Sequence, residues 1–304
     1  MNVVIAGATG FIGQALCRRL AAAGHTLTAL TRNPQKAVGL FPADTRVLAW
    51  STEQAGKWQQ VVAEAEVVVN LAGESIAGRR WTDEYKQRIR QSRLDTTRGI
   101  VAAMVVDDAP ERVLLNASAV GYYGDRGEAV VTEQTPSGSD FLARLCVDWE
   151  AEALQATAAG VRVVLMRTGI VLGEGGGVLE KMVPPFKWFV GGPLGLGKQW
   201  VPWIHIDDHL EMIVWAMENG AVSGPINFTA PHPVTMREFA NTLGKVLNRP
   251  ALFPVPRFVL QLMLGEGADA VLASQKVIPQ AAQQLGFEWR YPHLEPALRA
   301  IFRK

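Results

Sequence analysis

The sequence predicts an α/β protein: a doubly wound parallel sheet with helices on both faces, followed by a smaller, mostly helical C-terminal lobe. Three observations predict it. Short β-branched runs alternate with longer helical stretches through the first half of the chain, the pattern of parallel strands joined by helical crossovers. A glycine-rich turn, GATGFIG over residues 7–13, stands between the first strand and the first helix. After Arg167 the texture changes to glycine, proline and aromatic residues without clear periodicity, over residues 173–203.

The expected strands are Val3–Ala6, Thr26–Leu30, Arg46–Ala49, Val67–Leu71, Val113–Ser118 and Val161–Arg167. Several are apolar at nearly every position, as strands covered on both faces are. Helices are expected over residues 11–23, 82–105 and 139–159, each joining one strand to the next by a right-handed crossover. Asp207 can cap a helix running to about Asn219, Pro225–Thr229 reads as another short strand, and the remainder reads as mostly helical to Lys304. Residues 1–170 with about 205–229 are therefore expected to build the sheet domain. Residues of about 171–204 with 230–304 are expected to build the smaller lobe, packed on the carboxyl edge of the sheet, where ligands of open α/β sheets bind.

Composition removes several classes. The chain has 304 residues, with 30 Lys+Arg against 29 Asp+Glu and a formal charge of +1. No global field favours nucleic acid or an anionic membrane. Cys17 and Cys146 are too few for a disulfide framework and lack zinc-site spacing, so no metal is expected and a reducing compartment fits. No uncharged apolar run approaches the roughly 18 residues of a membrane span. The first apolar segment starts at residue 3 without a basic leader, so no signal peptide is expected. The expectation is a cytoplasmic protein with neither nucleic-acid nor membrane partners. The oligomeric state stays open.

The spacing G-x-x-G-x-x-G in GATGFIG follows a strand and opens a helix, which makes the sheet Rossmann-type. Gly7 allows the tight turn, Gly10 lets the backbone approach a diphosphate, and Gly13 permits close helix–strand packing. Thr9 lies in the turn, and the free N–H groups of the helix start, at Phe11 and Ile12, face the negative charge. About twenty residues on, an acid at the end of the second strand would select NAD through the ribose 2′-hydroxyl. The sequence has Thr31-Arg32-Asn33 there instead. A guanidinium with a neighbouring hydroxyl suits a 2′-phosphate, so the expected cofactor is NADP. An exposed, solvated Arg32 is the alternative.

These residues, with Asn70-Leu71-Ala72-Gly73 after the fourth strand and Ser118 after the fifth, resemble an extended short-chain dehydrogenase/reductase over nearly the whole chain. NLAGE at 70–74, RRW at 79–81, SRLDTT at 92–97, GYYGD at 121–125, RTGIVLG at 167–173 and PWIHIDD at 202–208 resemble its atypical branch, the sugar-nucleotide epimerase family. The resemblance implies that Leu71, Ala72 and Gly73 line the cofactor and that Thr168–Val171 meet the nicotinamide amide. It brings the fold and the cofactor more securely than a reaction.

Helix 82–105, with Thr82 as N-cap, carries Tyr85, Ile89, Arg93, Thr96, Ile100 and Met104 on one stripe. Arg93 on that stripe requires an anion opposite it, because a buried unpaired guanidinium is costly. In the resembled family this helix passes the cofactor, so Arg93 is expected to contact a cofactor phosphate or a substrate anion, with Arg88 a weaker companion. A salt bridge to a structural acid is the alternative. The stretch Gly78–Gly99 holds seven basic and three acidic residues, and Lys86, Arg90 and Arg98 read equally well as a solvated face.

The resemblance also implies a catalytic serine, tyrosine and lysine, the last two four residues apart on one helix face. Ser118 matches the serine. Four residues after Tyr85, Tyr122, Tyr123 and Tyr291 come Ile89, Arg126, Gly127 and Glu295, and none is lysine. Tyr123 and Tyr122 are the compensating candidates, with Asp125 and Glu133 behind them, and packing of the paired rings is the alternative. In the second lobe His205 reads as structural and Asp207 or Asp208 as the helix cap. Phe186, Trp188, Phe189, Trp200 and Trp203 could form a wall that stacks a planar or sugar-like substrate, with core packing the alternative for each ring. The expected function is an NADP(H)-binding oxidoreductase or epimerase acting on a small molecule, of which a nucleotide-linked sugar is one kind. The rival is an NADPH-binding regulatory or sensor protein that has lost catalysis.

Overall fold

The computed structural model describes residues 1–76, 79–105 and 111–302, so the expected helical end at Lys304 lies outside the described residues. The central sheet has seven strands: β1 Asn2–Ala6, β2 Thr26–Thr31, β3 Arg46–Ala49, β4 Val67–Asn70, β5 Val113–Ala119, β6 Arg162–Thr168 and β7 Gly224–Phe228. All run parallel, in the order β7-β6-β5-β4-β1-β2-β3. The short strand expected at 225–229 is therefore the seventh member of the sheet. It lies at the edge, where Pro225 costs no ladder hydrogen bond in mid-sheet.

Strand order reverses direction between β1 and β4, and a crevice opens at such a point beyond the carboxyl ends. Ala6 stands opposite both Leu30 and Asn70. The register thus sets three loops side by side: the glycine turn, Thr31-Arg32 and Leu71–Gly73.

Two core layers flank the sheet, as the alternation of β1 requires. Val3 and Ile5 pack with Leu16 and Leu20 of α1 (Phe11–Ala22) and Ile213 of α6 (Ile206–Glu218). Val4 and Ala6 pack with Val62 of α2 (Lys57–Ala63) and with Ile100 and Met104 of α3 (Asp83–Met104). Thr82 caps α3, its hydroxyl accepting from the Tyr85 N–H at 3.2 Å. The helix expected over 139–159 divides into α4 (Phe141–Leu154) and a 3₁₀ turn, Gln155–Ala159.

The smaller lobe has its own core, in which Leu172 and Trp203 meet Met182 and Phe186 of α5 (Gly177–Lys187) and Phe239 of α7 (Met236–Leu247). Here the aromatic wall dissolves. Phe186 and Trp203 are buried, whereas Trp188 and Phe189, just past the end of α5, are 79% and 55% exposed. The cap of α6 also differs from expectation. His205 is the N-cap, its Nδ1 accepting from the Asp207 N–H at 3.1 Å, while Asp207 and Asp208 occupy the first turn, where carboxylates suit the helix dipole. Asp208 turns inward and accepts from the N–H groups of Arg290 and Tyr291 at 2.8 and 2.9 Å. Among the described residues no helix is long and apolar enough to cross a membrane.

Candidate active site

The glycine turn is a cradle that side chains would fill. Gly7 has φ +77°, and a Cβ there would lie 2.6 Å from the Leu71 carbonyl carbon. A Cβ on Gly13 would lie 2.4 Å from the Gly7 oxygen. The turn closes with the Gly10 N–H donating to the Gly7 carbonyl at 3.0 Å, and Gln14 Nε2 braces it from inside the helix by donating to the Thr9 carbonyl at 2.8 Å. Helix α1 begins at Gly10 with no side-chain cap and no acid in its first turn. The N–H groups of Phe11 and Ile12 are thus left for an external anion, as a diphosphate would require.

Beside this cradle, Thr31 ends β2 as a buried residue whose hydroxyl accepts from the Asn33 N–H at 3.3 Å. Arg32 is exposed, and no carboxylate pairs with it among the described residues. A donor fork without a protein partner fits a 2′-phosphate. The residues present therefore fit the cofactor that the turn implies.

On the other side, Leu71 and Ala72 lie against the turn, and Gly73 faces Arg93, whose Cζ would come within 3.1 Å of a Cβ there. Arg93 Nη1 donates to the carbonyls of Glu74 and Ile89, both at 3.0 Å, and the guanidinium lies 5.1 Å from the Trp149 ring centroid. Among the described residues no carboxylate is within ion-pair distance of it, and burial pushes its pKa below the ordinary arginine value. The structural salt bridge weighed as an alternative is not formed. Lys86, Arg90 and Arg98 do pair with acids, namely Asp83 and Glu266, Asp148, and Glu152. Arg88 is simply exposed. Beneath Arg93, Asn70 Nδ2 donates to Thr97 Oγ1 at 3.0 Å and to Asn116 Oδ1 at 2.7 Å, and Trp149 Nε1 donates to Thr97 Oγ1 at 2.8 Å. This buried network ties the ends of β4 and β5 to α3 and α4.

Ser118, at the carboxyl end of β5, donates to Glu150 Oε1 of α4 at 2.6 Å. Glu150 is clamped by Arg167 of β6, Nε to Oε1 and Nη2 to Oε2, both at 2.8 Å. Sequence reasoning missed this pair. Its signal was present: two charged residues of opposite sign on otherwise apolar faces, Arg167 ending the run VVLM and Glu150 beside Trp149 and Ala153.

Arg167 also joins the two tyrosines. Its guanidinium lies 3.5 Å from the Tyr122 ring centroid, and Nη1 donates to the Tyr123 hydroxyl at 3.1 Å. Tyr123 is fully buried, its hydroxyl donates to Asn227 Oδ1 at 2.6 Å, and burial pushes its pKa up to about 12. Tyr122 is half-buried and its hydroxyl has no protein partner among the described residues. The two acids weighed behind them are committed to backbone. Glu133 accepts from the N–H groups of Asn227 and Ala281, and Asp125 Oδ1 accepts from those of Gly127 and Ser274.

The smaller lobe reaches the cradle through Phe11. Gly173, Gly176 and Gly177 cover its ring so closely that a Cβ on Gly176 would lie 2.5 Å from Phe11 Cδ2. Val171 is buried just before this run, on the short strand Ile170–Leu172, which pairs with Trp203–His205. His205 is buried against Tyr291, with ring centroids 4.1 Å apart. His209 is buried too. Its Nε2 meets Thr168 Oγ1 at 3.3 Å, its Nδ1 has no partner among the described residues, and burial pushes its pKa down to about 3.

The model of the NAD dependent epimerase/dehydratase family matches residues 3–228, and that of a domain of unknown function, DUF1731, matches residues 255–301. The chain is 46% identical over its whole length to the epimerase family protein SDR39U1 homolog, chloroplastic, of Arabidopsis thaliana, covering 87% of that protein. It is 39% identical to epimerase family protein YfhF of Bacillus subtilis, covering 99% of this chain and 98% of that protein. Among solved structures, human epimerase family protein SDR39U1 (isoform2) with NADPH superposes with a TM-score of 0.85 at 35% identity, covering 99% of both chains. MoeE5 in complex with UDP-glucuronic acid and NAD shares the fold, with a TM-score of 0.79 at 20% identity over 99% of this chain and 97% of that one.

Proposed function

Because the chain belongs to the NAD dependent epimerase/dehydratase family, we propose that it is an NADP(H)-dependent oxidoreductase of the extended short-chain dehydrogenase/reductase type, moving hydride to or from a small alcohol or carbonyl substrate, alone or within an epimerisation. One observation carries the cofactor assignment: an uncapped glycine cradle at the head of α1, with an unpaired arginine at the tip of the adjacent strand. The relative of known structure bound to NADPH supports it.

In this assignment Gly7, Gly10 and Gly13 admit the diphosphate, the N–H groups of Phe11 and Ile12 hold it, and Thr31 and Arg32 hold the 2′-phosphate. Leu71–Gly73, Arg93 and Val171 line the remainder of the cofactor cleft. A bound nicotinamide supplies or accepts the hydride. Ser118, whose proton is given to Glu150, presents an oxygen lone pair that accepts from a substrate hydroxyl. Tyr122 is the proton donor or acceptor, its hydroxyl free and its ring held flat under Arg167. Tyr123 fixes the turn that carries Tyr122. Residues 1–170 with 205–229 serve the cofactor and 171–204 with 230–304 the substrate. A reducing, cytoplasm-like compartment suits the two unpaired thiols.

Titration of NADPH and NADH against the wild type and Arg32→Ala tests the cofactor assignment. The wild type is expected to prefer NADPH and the variant to lose that preference, and equal wild-type affinities would refute it. Two observations favour a second reading, an NADPH-responsive sensor without turnover: no Tyr-x-x-x-Lys is present, and Ser118 is hydrogen-bonded to the carboxylate of a buried ion pair. Tritium passing from labelled NADPH into a product excludes the sensor, whereas stoichiometric binding without transfer to any carbonyl or sugar nucleotide favours it.

A further inference from the structure

A cavity of about 850 Å³ opens between the turn at 125–128, the segment 193–199 and the loop 251–257. Its floor is tied to the turn that carries Tyr122. Asp125 and Ser274 both line it, the Ser274 N–H donating to Asp125 Oδ1 at 3.2 Å, and the next residue, Gln275, donates through Nε2 to the carbonyls of Val120 and Gly124 at 3.0 and 2.9 Å. Hydrogen bonds thus connect residues 274–275 beside the cavity to the turn that carries Tyr122.

Its walls differ in chemistry. Its apolar lining is Leu196, Ala251, Leu252, Pro254, Pro256 and Leu272. A sugar needs hydrogen-bonding side chains around it, and this wall offers none, its prolines lacking even the N–H. Leu196 and Leu252 are 76% and 74% exposed, and Phe253 and Phe258, next to lining residues in sequence, are also exposed. Backbone bonds hold this apolar surface in place: Phe253 N–H to the Gly191 carbonyl at 3.1 Å, Val255 N–H to Pro193 at 2.9 Å and Gly195 N–H to Val255 at 2.8 Å. A fixed, exposed apolar surface running into a cavity of this size marks a ligand groove.

The lining also holds charged residues. Its carboxylates are engaged, Asp125 as described and Glu128 by Trp200 Nε1 at 2.7 Å, and Arg257 is paired with Asp269 at 2.6 Å. The Arg237 guanidinium donates to the Leu196 carbonyl, and Lys198 has no partner among the described residues. Lys198 and Arg237 are thus the lining cations with no carboxylate within ion-pair distance among the described residues.

We propose that this cavity binds an amphiphile, an extended apolar body on the 251–256 wall with an anionic head at Lys198 and Arg237. The proposal names the substrate class of the oxidoreductase and rests on that assignment for its catalytic consequence, but not for binding. The test is calorimetric titration of the saturated fatty-acid series from hexanoate to dodecanoate, below micelle-forming concentrations and without cofactor, with NADPH titrated separately on each sample.

Affinity is expected to rise about fourfold per added methylene until the groove is full. Dodecanoate is expected to bind more tightly than dodecanol, with Lys198→Gln/Arg237→Gln removing that difference. Leu252→Asp is expected to abolish the chain-length dependence while leaving NADPH binding intact, which reports that the variant is folded. An affinity independent of chain length overturns the proposal, as does an alkyl series unaffected by Leu252→Asp, or UDP-glucose binding that Leu252→Asp weakens while the alkyl series does not bind. Failure of NADPH titration in the wild type refutes the cofactor assignment instead and leaves the alkyl result standing.

Discussion

Replacing Glu150 by alanine tests the buried network most directly. The side chains of Arg167 and Glu150 are only 4% and 7% exposed, and two bonds of 2.8 Å join them. The alanine strands Arg167 Nε and Nη2 in the interior and leaves the Ser118 hydroxyl without its acceptor, while Nη1 keeps Tyr123 and the Glu133 carbonyl. Breaking a buried pair from one side costs about 3–5 kcal/mol. The loss of the Ser118 bond to a charged acceptor adds to this and the retained contacts subtract, so a destabilisation of about 4 kcal/mol is expected. Removing both charges with Glu150→Leu/Arg167→Met is expected to cost less than either single change, giving a coupling of at least about 2 kcal/mol in the cycle. Urea denaturation followed by tryptophan fluorescence and circular dichroism measures the four proteins of the cycle and Glu150→Ala. A Glu150→Ala protein within about 1 kcal/mol of wild type would show that the pair does not hold α4 to the sheet.

Gly13→Ala forces a Cβ to 2.4 Å from the Gly7 oxygen, so NADPH binding should fall by at least tenfold in a fluorescence titration, with the wild-type circular dichroism spectrum largely kept. Arg93→Ala removes a cation that no carboxylate among the described residues pairs with, so it should weaken cofactor or substrate binding with little change in melting temperature; a large fall in melting temperature with unchanged binding would make Arg93 purely structural. His209 holds a proton only near pH 3 in the fold but near pH 6.5 when unfolded, so the unfolded chain binds the extra proton between those values. Its contribution to stability is therefore present above about pH 6.5 and lost as pH falls toward 3, by at most ~1.4 kcal/mol per pH unit, and His209→Phe should flatten that slope in urea midpoints measured at pH 7 and pH 5. Burial pushes the thiols of Cys17 and Cys146 up to about 12, so neither should react with a disulfide reagent at pH 8 until the protein is denatured.

The parts of this fold that sequence reading reached are those fixed by local rules. The alternation of runs gives the parallel sheet, the spacing of Gly7, Gly10 and Gly13 gives the cradle, and Thr82 before the periodic stripe gives the start of α3. What escaped depends on which groups meet across the sheet. Glu150 and Arg167 are seventeen residues apart and become partners only when α4 lies over β5 and β6. The capping role at α6 went to His205 instead of the acids beside it, because a ring nitrogen two residues before the Asp207 N–H has the reach that a first-turn carboxylate lacks. The aromatic residues around 186–203 were one group in sequence and became two in space, since α5 turns Phe186 inward and ends before Trp188.

Phe11 has a consequence for how the chain can be divided. Its ring is roofed by glycines more than 160 positions downstream, so severing the polypeptide after residue 170 would uncover the first residue of α1 and take β7 from the sheet's edge. The nucleotide half is consequently not a portable module. Grafted or expressed by itself, it would present a bare ring and an open strand to neighbouring molecules, and self-association would be the expected fate.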